Sequence, residues 1–340
     1  MSLIPYLQQA VNGEHLDPQA AERAMAVILS GGASTAQVAA FAVALRMKGE
    51  TSGELLGFAR AMRAAASRIA ARLEGEPLLD TCGTGGDGVG TFNISTLAAF
   101  VVAGAGVRVA KHGNRSISSR CGSADVLERL GVSIALGPAQ TLRAIREVGI
   151  GFLFAPAFHP AMKHAQPARV ELKMRTVFNL LGPLTNPAGA TAQVVGAPSA
   201  HAAELIAGAL AALGLEHGFV VHGSDGLDEI TTTGPTLAFE VRAGRAERRT
   251  LTPADFGVPE AALDDLKGGD PEQNCGVARG ILEGARGPKR DIVLVNASAA
   301  LVASDKARDF REGVALAAAS LDSGAALAKL QALACFTKRR

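Results

Sequence analysis

The chain has 340 residues, of which 48% are hydrophobic and 19% are charged, and its formal net charge at pH 7 is +2. This length and composition predict a globular protein with one large or two modest domains and a substantial core. The small net charge excludes the basic field that is typical of nucleic-acid-binding proteins, so any cationic site must be local.

The first 72 residues carry helical patterns only. Apolar residues at helical spacing, punctuated by glycines, predict helices over residues 3–11, 19–30, 35–48 and 52–72. Asp17 before Pro18 is typical of an N-cap followed by proline at the first helical position. We expect this segment to pack rather than to catalyse.

From residue 76 onward, short apolar strands alternate with helical patterns. The predicted strands are residues 78–82, 107–110, 151–155, 193–196, 219–222, 237–241 and 248–251. This alternation predicts an α/β fold with a mostly parallel central sheet flanked by helices. Ligands of such sheets bind beyond the carboxyl ends of the strands.

Two turns at predicted strand ends have the composition of an anion site. The first reads GTGGDGVGTFNIST from Gly83, and the second reads KHGNRSISSRCGSAD from Lys111. Glycines let backbone N–H groups approach an anion, and a helix N-terminus adds a favourable dipole. Together the turns predict a site for a highly charged phosphorylated ligand. They match neither the Walker loop nor the dinucleotide fingerprint.

Hydroxyl and amide side chains in these turns are also candidates for helix caps. Asn93, Ser95 and Thr96 precede a predicted helix over residues 97–102, where an N-cap would lie. Ser123 precedes a second predicted helix, over residues 124–130, and is expected to cap it.

Two later segments carry polar candidates with plainer explanations. Residues 159–187 form a helical, cationic stretch, and such charges usually belong to a solvated helix face. Asp228 and Glu229 follow the predicted strand 219–222. Adjacent carboxylates at that position suit Mg²⁺, which prefers oxygen ligands, although most acidic loop residues are simply solvated. The residues alone leave both alternatives open.

Taken together, these motifs resemble those of one family. The chain is similar to the anthranilate phosphoribosyltransferases of tryptophan biosynthesis, whose hallmarks GTGGD, N-x-S-T and KHGNR-x-x-S-x-x-x-GSAD stand here in order. The resemblance continues through HPAMK, FNLLGPLTNP and LDE and covers almost the whole chain. Cys121 departs from the most familiar pattern, but it replaces one small residue with another.

The resemblance implies a reaction. The 5-phosphoribosyl group of 5-phosphoribosyl 1-diphosphate would pass to the amine of anthranilate, which gives N-(5-phosphoribosyl)anthranilate and pyrophosphate. This is the second step of tryptophan biosynthesis from chorismate. No catalytic nucleophile or general base is implied, because an aromatic amine carries a usable lone pair at neutral pH.

The resemblance also implies the site residues. Those that bind the phosphoribosyl donor would be Gly83, Thr84, Gly86, Asp87, Thr91, Asn93, Ile94, Ser95, Thr96, Lys111, His112, Gly113, Asn114, Arg115, Ser116, Ile117, Ser118, Ser119 and Ser123. Those that bind anthranilate would be Gly83, Asn114 and Arg169, with His112, His159 and Pro183 at the outer part of its tunnel. Ser95, Asp228 and Glu229 would bind Mg²⁺ as two ions, held mainly through the diphosphate. The planar guanidinium of Arg169 suits a carboxylate bidentately.

Domains and partners follow from the same resemblance. A small helical domain would comprise residues 1–72 with 160–190, and would form the acceptor side of the cleft and a homodimer interface. An α/β domain of residues 73–159 with 191–340 would bind the donor and the metal. We expect no nucleic-acid partner, and the resemblance leaves room for an association with anthranilate synthase.

The cysteines and the apolar runs predict a cytoplasmic location. The four cysteines lack C-x-x-C spacing, so we expect reduced thiols. The N-terminal residues lack the pattern of a signal peptide. No apolar run approaches the roughly 20 residues of a membrane span, so we expect no membrane partner.

Two alternative functions stay open. Pyrimidine nucleoside phosphorylases share the implied fold, but their phosphate turn reads KHSTGGVGD, whereas this chain has Asp80-Thr81-Cys82 before GTGGD and an intact KHGNR. A non-enzymatic relative that binds nucleic acid is disfavoured by the net charge of +2 and by the retained Asn114 and Arg169. The length excludes a fusion with a glutamine amidotransferase within this chain.

Overall fold

The computed structural model describes residues 2–86, 88–115 and 121–338. Its first four helices are α1 (Ile4–Val11), α2 (Pro18–Leu29), α3 (Thr35–Lys48) and α4 (Ser52–Ala65). Side chains cap three of them: Asp17 accepts a hydrogen bond at the start of α2, and Ser34 and Thr51 form capping boxes on α3 and α4. The predicted helical start of the chain is thus observed, with one exception.

The exception is the second half of the predicted helix 52–72. α4 ends at Ala65, and Ala66 is extended, with ψ of 151°. The Ser67 N–H then donates to the carbonyl of Phe158, and the Ile69 N–H donates to the carbonyl of Pro187. These tertiary hydrogen bonds and the burial of Ile69 override the local helical pattern.

Within the described ranges, seven strands form one sheet in the order β3-β2-β1-β4-β5-β6-β7. The strands are β1 (Leu78–Gly83), β2 (Arg108–Gly113), β3 (Ile150–Phe154), β4 (Ala192–Gly196), β5 (His217–Gly223), β6 (Thr236–Arg242) and β7 (Arg245–Leu251). The first five are parallel, and β6 and β7 pair antiparallel. Because the strand order reverses between β1 and β4, a crevice opens beyond their carboxyl ends.

Different helices cover the two faces of the sheet. The remaining helices are α5 (Ile94–Gly104), α6 (Ser123–Arg129), α7 (Pro138–Glu147), α8 (Ala155–Phe158), α9 (Gln166–Leu172), α10 (Val177–Leu180), α11 (Ala200–Ala212), α12 (Pro253–Phe256), α13 (Pro271–Leu282), α14 (Pro288–Ala303), α15 (Phe310–Asp322) and α16 (Ala325–Lys338). Val194 and Phe219 face a core built with α5 and α14, whereas Val195 and Val220 face a core built with α11 and the amino-terminal helices. The predicted α/β fold is confirmed.

The segment between β3 and β4 returns the chain to the amino-terminal helices. α9 and α10 pack against α3, and Ala168 and Phe178 are buried in the same core as α2–α4. Two 3₁₀ turns, Pro160–His164 and Gly182–Leu184, flank these helices. The segment, here called the insert (residues 160–190), therefore lies between the amino-terminal helices and the crevice.

No single helix in the described part of the chain has both the length and the apolar character needed to cross a membrane; α15 and α16, bent by 60°, meet that test only as a pair, by length and composition.

Candidate active site

Two glycines form the floor of the crevice. Gly83 ends β1, Gly196 ends β4, and the two residues are paired in register. A Cβ on Gly83 would lie 2.7 Å from Asp228 Oδ2, and a Cβ on Gly196 would overlap the carbonyl oxygen of Asp228. Position 196 requires glycine because the backbone of the loop that carries Asp228 passes directly over the end of β4, whereas a side chain at position 83 would displace only the carboxylate of Asp228.

The predicted glycine turn lies at this crevice. Gly85 and Gly86 have φ of +66° and +74°, a region that glycine enters without steric cost. The Thr84 N–H donates to the carbonyl of Gly196 at 3.0 Å, and the Gly85 N–H donates to Asp228 Oδ2 at 2.9 Å. These two hydrogen bonds hold the turn against β4 and against the loop that carries Asp228 and Glu229, here called the acidic loop. Asp87 lies outside the described residues.

The N-terminus of α5 points into the same region. α5 begins at Ile94, earlier than predicted, so Ser95 and Thr96 lie in its first turn and are not caps. Asn93 is at the N-cap position, but its side chain makes no capping hydrogen bond there. The Asn93 amide donates instead to the carbonyl of Cys121, and the Asn274 amide donates to Asn93 Oδ1 at 3.2 Å. The sequence predicted that Asn93 binds the phosphoribosyl donor, and it gave no indication of the contact with Asn274.

The acidic loop meets α5 at Ser95. The Ser95 N–H donates to Glu229 Oε1 at 3.1 Å. Asp228 contacts the glycine turn at Gly85, and Glu229 contacts the first turn of α5 at Ser95. The two carboxylates therefore lie beside the two proposed anion-binding elements. The predicted set of Ser95, Asp228 and Glu229 is therefore brought together around one end of the crevice.

Two further residues hold the acidic loop in place, and sequence reasoning missed both. Asp225 Oδ2 accepts hydrogen bonds from the hydroxyls of Thr231 and Thr233 at 2.5 and 2.6 Å. The buried Asn296 amide of α14 donates to the carbonyl of Ile230 and accepts from its N–H. The sequence context of Asn296 carries no signal of this pairing.

The donor atoms of this set fit Mg²⁺. Carboxylate and hydroxyl oxygens are hard ligands, and Mg²⁺ takes one or two protein carboxylates together with substrate phosphates and water. Among the described residues, no group of three or more His, Cys, Asp or Glu side chains could hold a metal ion.

A buried charged pair lies beneath the crevice. Lys111 is only 3% exposed, and its Nζ donates to the carbonyl of Thr81 at 2.5 Å and to Ser95 Oγ at 3.5 Å. Burial lowers the pKa of Lys111, and the nearby Asp80 carboxylate opposes that shift. Lys111 therefore lies under Ser95, in the first turn of α5.

Asp80 is the counterpart of Lys111 and was not assigned a role from the sequence. It is fully buried, and its carboxylate accepts hydrogen bonds from the His112 N–H at 3.0 Å and the Asn186 amide at 2.7 Å. Burial raises the pKa of Asp80, and the positive charge of Lys111 opposes that shift. Asp80 and Asn186 thus fix the end of β2 and the insert to the centre of the sheet.

The second predicted turn is built around Asn114 and α6. The Ser123 hydroxyl donates to the carbonyl of Asn114 at 3.2 Å. The prediction that Ser123 caps the next helix is wrong, because α6 begins at Ser123 and Asp125 accepts the Gly122 N–H. Arg115 forms ion pairs with Asp125 and Glu128, and its hydrogen bonds to Glu128 and then Asp125 raise its pKa.

The other residues that were predicted to bind the phosphoribosyl donor lie in different surroundings. Thr91 forms an isolated antiparallel bridge with Lys267, Ile94 is fully buried, and Gly113 ends β2. The Thr96 hydroxyl is buried with no hydrogen-bond partner among the described residues. Four predicted residues of the second turn lie outside the described residues: Ser116, Ile117, Ser118 and Ser119.

Two buried histidines mark the predicted acceptor side. The rings of His112 and His159 lie 5.2 Å apart between centroids, and neither Nε2 has a hydrogen-bond partner within the part of the chain that the structure describes. Burial lowers the pKa of His112 to about 3 and that of His159 to about 4. Both rings are therefore neutral at pH 7. Pro183 is buried nearby in the insert, where its carbonyl accepts from the Gln193 amide.

Arg169 lies in α9 and is held only loosely. Its Nη1 donates to Gln166 Oε1 at 3.4 Å, and its guanidinium lies 6.0 Å from the centroid of the Phe178 ring. Partial burial lowers its pKa from the usual value, although an arginine stays charged at neutral pH.

Arg175 does not have the position that the sequence predicted for the charges of residues 159–187. It is not part of a solvated helix face. Its Nη1 donates to the carbonyls of Gly85 and Gly86 at 2.6 and 3.0 Å, and its Nη2 donates to Thr84 Oγ1 at 3.3 Å. Lys163 and Lys173 are exposed, as predicted.

Comparison with known proteins identifies the family. Residues 75–327 match the glycosyl transferase family, a/b domain, and residues 4–66 match the helical bundle domain of that family. Over all 340 residues the chain is 69% identical to the anthranilate phosphoribosyltransferase of Solibacter usitatus, with full coverage of both chains. The chain belongs to the anthranilate phosphoribosyltransferase family. The predicted family and enzyme class are confirmed.

Solved structures of anthranilate phosphoribosyltransferases share the fold. The enzyme from Thermus thermophilus superposes with a TM-score of 0.92 at 46% identity and full coverage of both chains. The enzyme from Saccharomyces cerevisiae, in complex with PRPP and Mg, has a TM-score of 0.90 at 28% identity, with 98% of this chain and 97% of that chain covered. The same yeast enzyme in complex with 4-fluoroanthranilate has a TM-score of 0.88.

Proposed function

We propose that this chain transfers the 5-phosphoribosyl group of 5-phosphoribosyl 1-diphosphate to the amine of anthranilate, and that the crevice between β1 and β4 is where the transfer occurs. The observation that carries this proposal is the convergence of the glycine turn, the N-terminus of α5 and the acidic loop. The yeast relative that is solved with PRPP and Mg supports it.

The donor would lie across the strand ends. The glycine turn and the N-terminus of α5 suit its phosphate oxygens, because they form a nest of glycines and the positive end of a helix. The Gly85 and Ser95 N–H groups, which donate to Asp228 and Glu229 in this structure, would become available to phosphate when those carboxylates turn to the metal. Lys111 would contribute charge from beneath, next to Ser95. Asn114 and Ser123 on the second turn would contact the other end of the donor.

Ser95, Asp228 and Glu229 would hold Mg²⁺, and we propose two ions. The metal would neutralise the charge that develops on the departing pyrophosphate. Asp225 and Asn296 keep the backbone of the acidic loop in position, so the two carboxylates would only exchange their hydrogen bonds with the Gly85 and Ser95 N–H groups for the metal when the donor binds.

Anthranilate would approach from the insert. The guanidinium of Arg169 would bind its carboxylate, and Gly83, Asn114 and the neutral rings of His112 and His159 would border it, with Pro183 closing one side. In the reaction, the bond from the anomeric carbon to the pyrophosphate oxygen breaks, and a bond from that carbon to the amine nitrogen forms. The amine then loses a proton to solvent. The rate enhancement would come from positioning and leaving-group stabilisation.

Several properties of the whole molecule belong to the same proposal. Residues 1–72 with 160–190 would form the helical domain, and residues 73–159 with 191–340 the α/β domain. We also propose a homodimer through the helical domain, on which Val11 and Met47 are exposed apolar side chains. Cys82 and Cys275 are buried thiols, and we propose a cytoplasmic location. We also propose that this chain associates with anthranilate synthase.

The test is a fluorescence assay with purified chain, anthranilate, 5-phosphoribosyl 1-diphosphate and Mg²⁺. We expect anthranilate fluorescence to be consumed as phosphoribosyl-anthranilate forms, and we expect a chelator to stop the reaction. No turnover with anthranilate or with any of several other aminobenzoates would reject the proposal. Sedimentation of the same preparation would test the homodimer.

A further inference from the structure

We propose that Arg175 is a positioning residue that holds the glycine turn in the shape that binds the phosphoribosyl donor, and that it does so from the insert that also carries Arg169. This inference rests on the proposed function and adds a residue that acts on the donor through the backbone. Three hydrogen bonds from one guanidinium to residues 84–86 carry it.

The bonds of Arg175 orient peptide groups. The Gly85 carbonyl and the Gly86 N–H belong to one trans peptide, so they point in opposite directions. When Arg175 Nη1 binds the Gly85 carbonyl at 2.6 Å, it turns the Gly86 N–H away from the insert. Without that contact, positive φ at Gly85 and Gly86 leaves this peptide free to rotate, because glycine has few steric restraints.

The turn is held from two sides. Arg175 binds its carbonyls, whereas Asp228 of the acidic loop accepts the Gly85 N–H at 2.9 Å. The glycine turn is therefore fixed between the insert and the loop that would bind metal. A cation at the carbonyls and an anion at an N–H match the polarity of the peptide groups they contact.

Arg175 is itself held in place. Lys173 ends α9 in the left-handed conformation, with φ of 47°, and turns the chain back toward the sheet. Beyond Arg175, the Thr176 N–H donates to Asn179 Oδ1 at 2.9 Å at the start of α10. The short segment that carries Arg175 is thus fixed at both ends, so its guanidinium loses little entropy on binding the turn.

The test compares Arg175→Ala and Arg175→Lys with Lys163→Ala, which removes an exposed cation from the same insert. In Arg175→Ala we expect the donor KM, and the donor Kd by calorimetry with Mg²⁺, to rise about tenfold to a hundredfold, because three hydrogen bonds from a charged group are lost. The anthranilate KM should change less than about twofold, and Lys163→Ala should match the wild type. Lysine keeps the charge but cannot span three acceptors, so it should restore only part of the loss.

Two results would overturn the inference while leaving the proposed function intact. One is a donor KM and Kd in Arg175→Ala that stay within about twofold of the wild type. The other is full restoration by Arg175→Lys, which would mean that charge alone is needed. Absence of transfer by the wild-type chain would instead reject the proposed function.

A second variant keeps the inference testable if Arg175→Ala folds poorly. Thr84→Val removes one acceptor of Arg175 and leaves the guanidinium. Because contacting residues couple, we expect Thr84→Val to raise the donor KM less in the Arg175→Lys background than in the wild type. Equal effects in both backgrounds would contradict the inference.

Discussion

The two sides of the candidate site are built in different ways. On the donor side, buried polar groups from distant parts of the chain bind one another: Asp80 binds Asn186, and Lys111 binds the carbonyl of Thr81. On the acceptor side, Arg169 has one 3.4 Å contact with Gln166, in the same short helix, and is partly exposed. Apolar packing in the insert supports the rest of that side.

This difference has a functional meaning. A polyanionic donor with its metal needs fixed dipoles and charges, since reorganisation during the reaction would cost rate. A small aromatic acceptor needs one anchor for its carboxylate and a shaped apolar wall. We therefore expect loss of the metal-binding carboxylates on the donor side to lower kcat, and loss of the Arg169 anchor on the acceptor side to raise the anthranilate KM.

The largest expected effect is on the donor side. Asp228→Asn combined with Glu229→Gln keeps the size of both side chains but removes their charge, so kcat should fall roughly a hundredfold to a thousandfold. The concentration of Mg²⁺ needed for half-maximal rate should rise as well. Steady-state assays over a Mg²⁺ series measure both.

The control for this double variant is Glu204→Gln, which neutralises an exposed acid on α11. It should behave like the wild type. Activity that survives both the double substitution and a chelator would show that the acidic loop does not serve the metal.

The next effect is on the acceptor side. Arg169→Ala should raise the anthranilate KM about tenfold to a hundredfold, because a charge-assisted contact worth roughly 1.5–3 kcal/mol is lost. The donor KM should stay nearly constant, in contrast to Arg175→Ala. Gln166→Ala is the matched control, since it loses only the contact to Arg169, and we expect a change below about threefold. An unchanged anthranilate KM in Arg169→Ala would refute its assignment.

The sequence predicted the fold well where the signal is local. Strands such as β4 and β5 are short apolar runs between turn residues, and their parallel pairing follows from the helices between them. The end of α4 could not be predicted, because the hydrogen bonds of Ser67 and Ile69 go to residues about 90 and 118 positions away.

The sequence predicted the motifs of the candidate site but not the residues that hold those motifs in place. Glycine turns and paired carboxylates are visible as short patterns. Asp80, Arg175 and Asn296 act across separations of 32, 89 or 90, and 66 residues, and each has an ordinary local context. A buried hydrogen bond leaves no periodic trace in the sequence, so residues of this kind become apparent only when the chain is folded.

The smallest expected effect concerns the two histidines between the donor and acceptor sides. His112 lies in β2, on the donor side, and His159 directly precedes the insert. The contact between their rings therefore joins the two halves of the site. Their pKa values of about 3 and about 4 in the folded chain lie below the value of about 6.5 expected when it is unfolded. Between these values the unfolded chain binds more protons, so the free energy of unfolding falls as pH drops below about 6.5, by up to about 1.4 kcal/mol per pH unit for each ring.

Urea unfolding at pH 7, 6 and 5 measures this dependence. His159→Gln should reduce the slope of the free energy of unfolding against pH by the equivalent of up to about one proton. His201→Gln, which replaces an exposed histidine on α11, should leave that slope unchanged. Identical slopes in the wild type and His159→Gln would mean that the buried ring takes up its proton without unfolding the junction. The two halves of the site would then be joined less rigidly than the packing of these rings indicates, and the contrast between them would rest on the buried hydrogen bonds of Asp80 and Lys111 and on the single contact of Arg169.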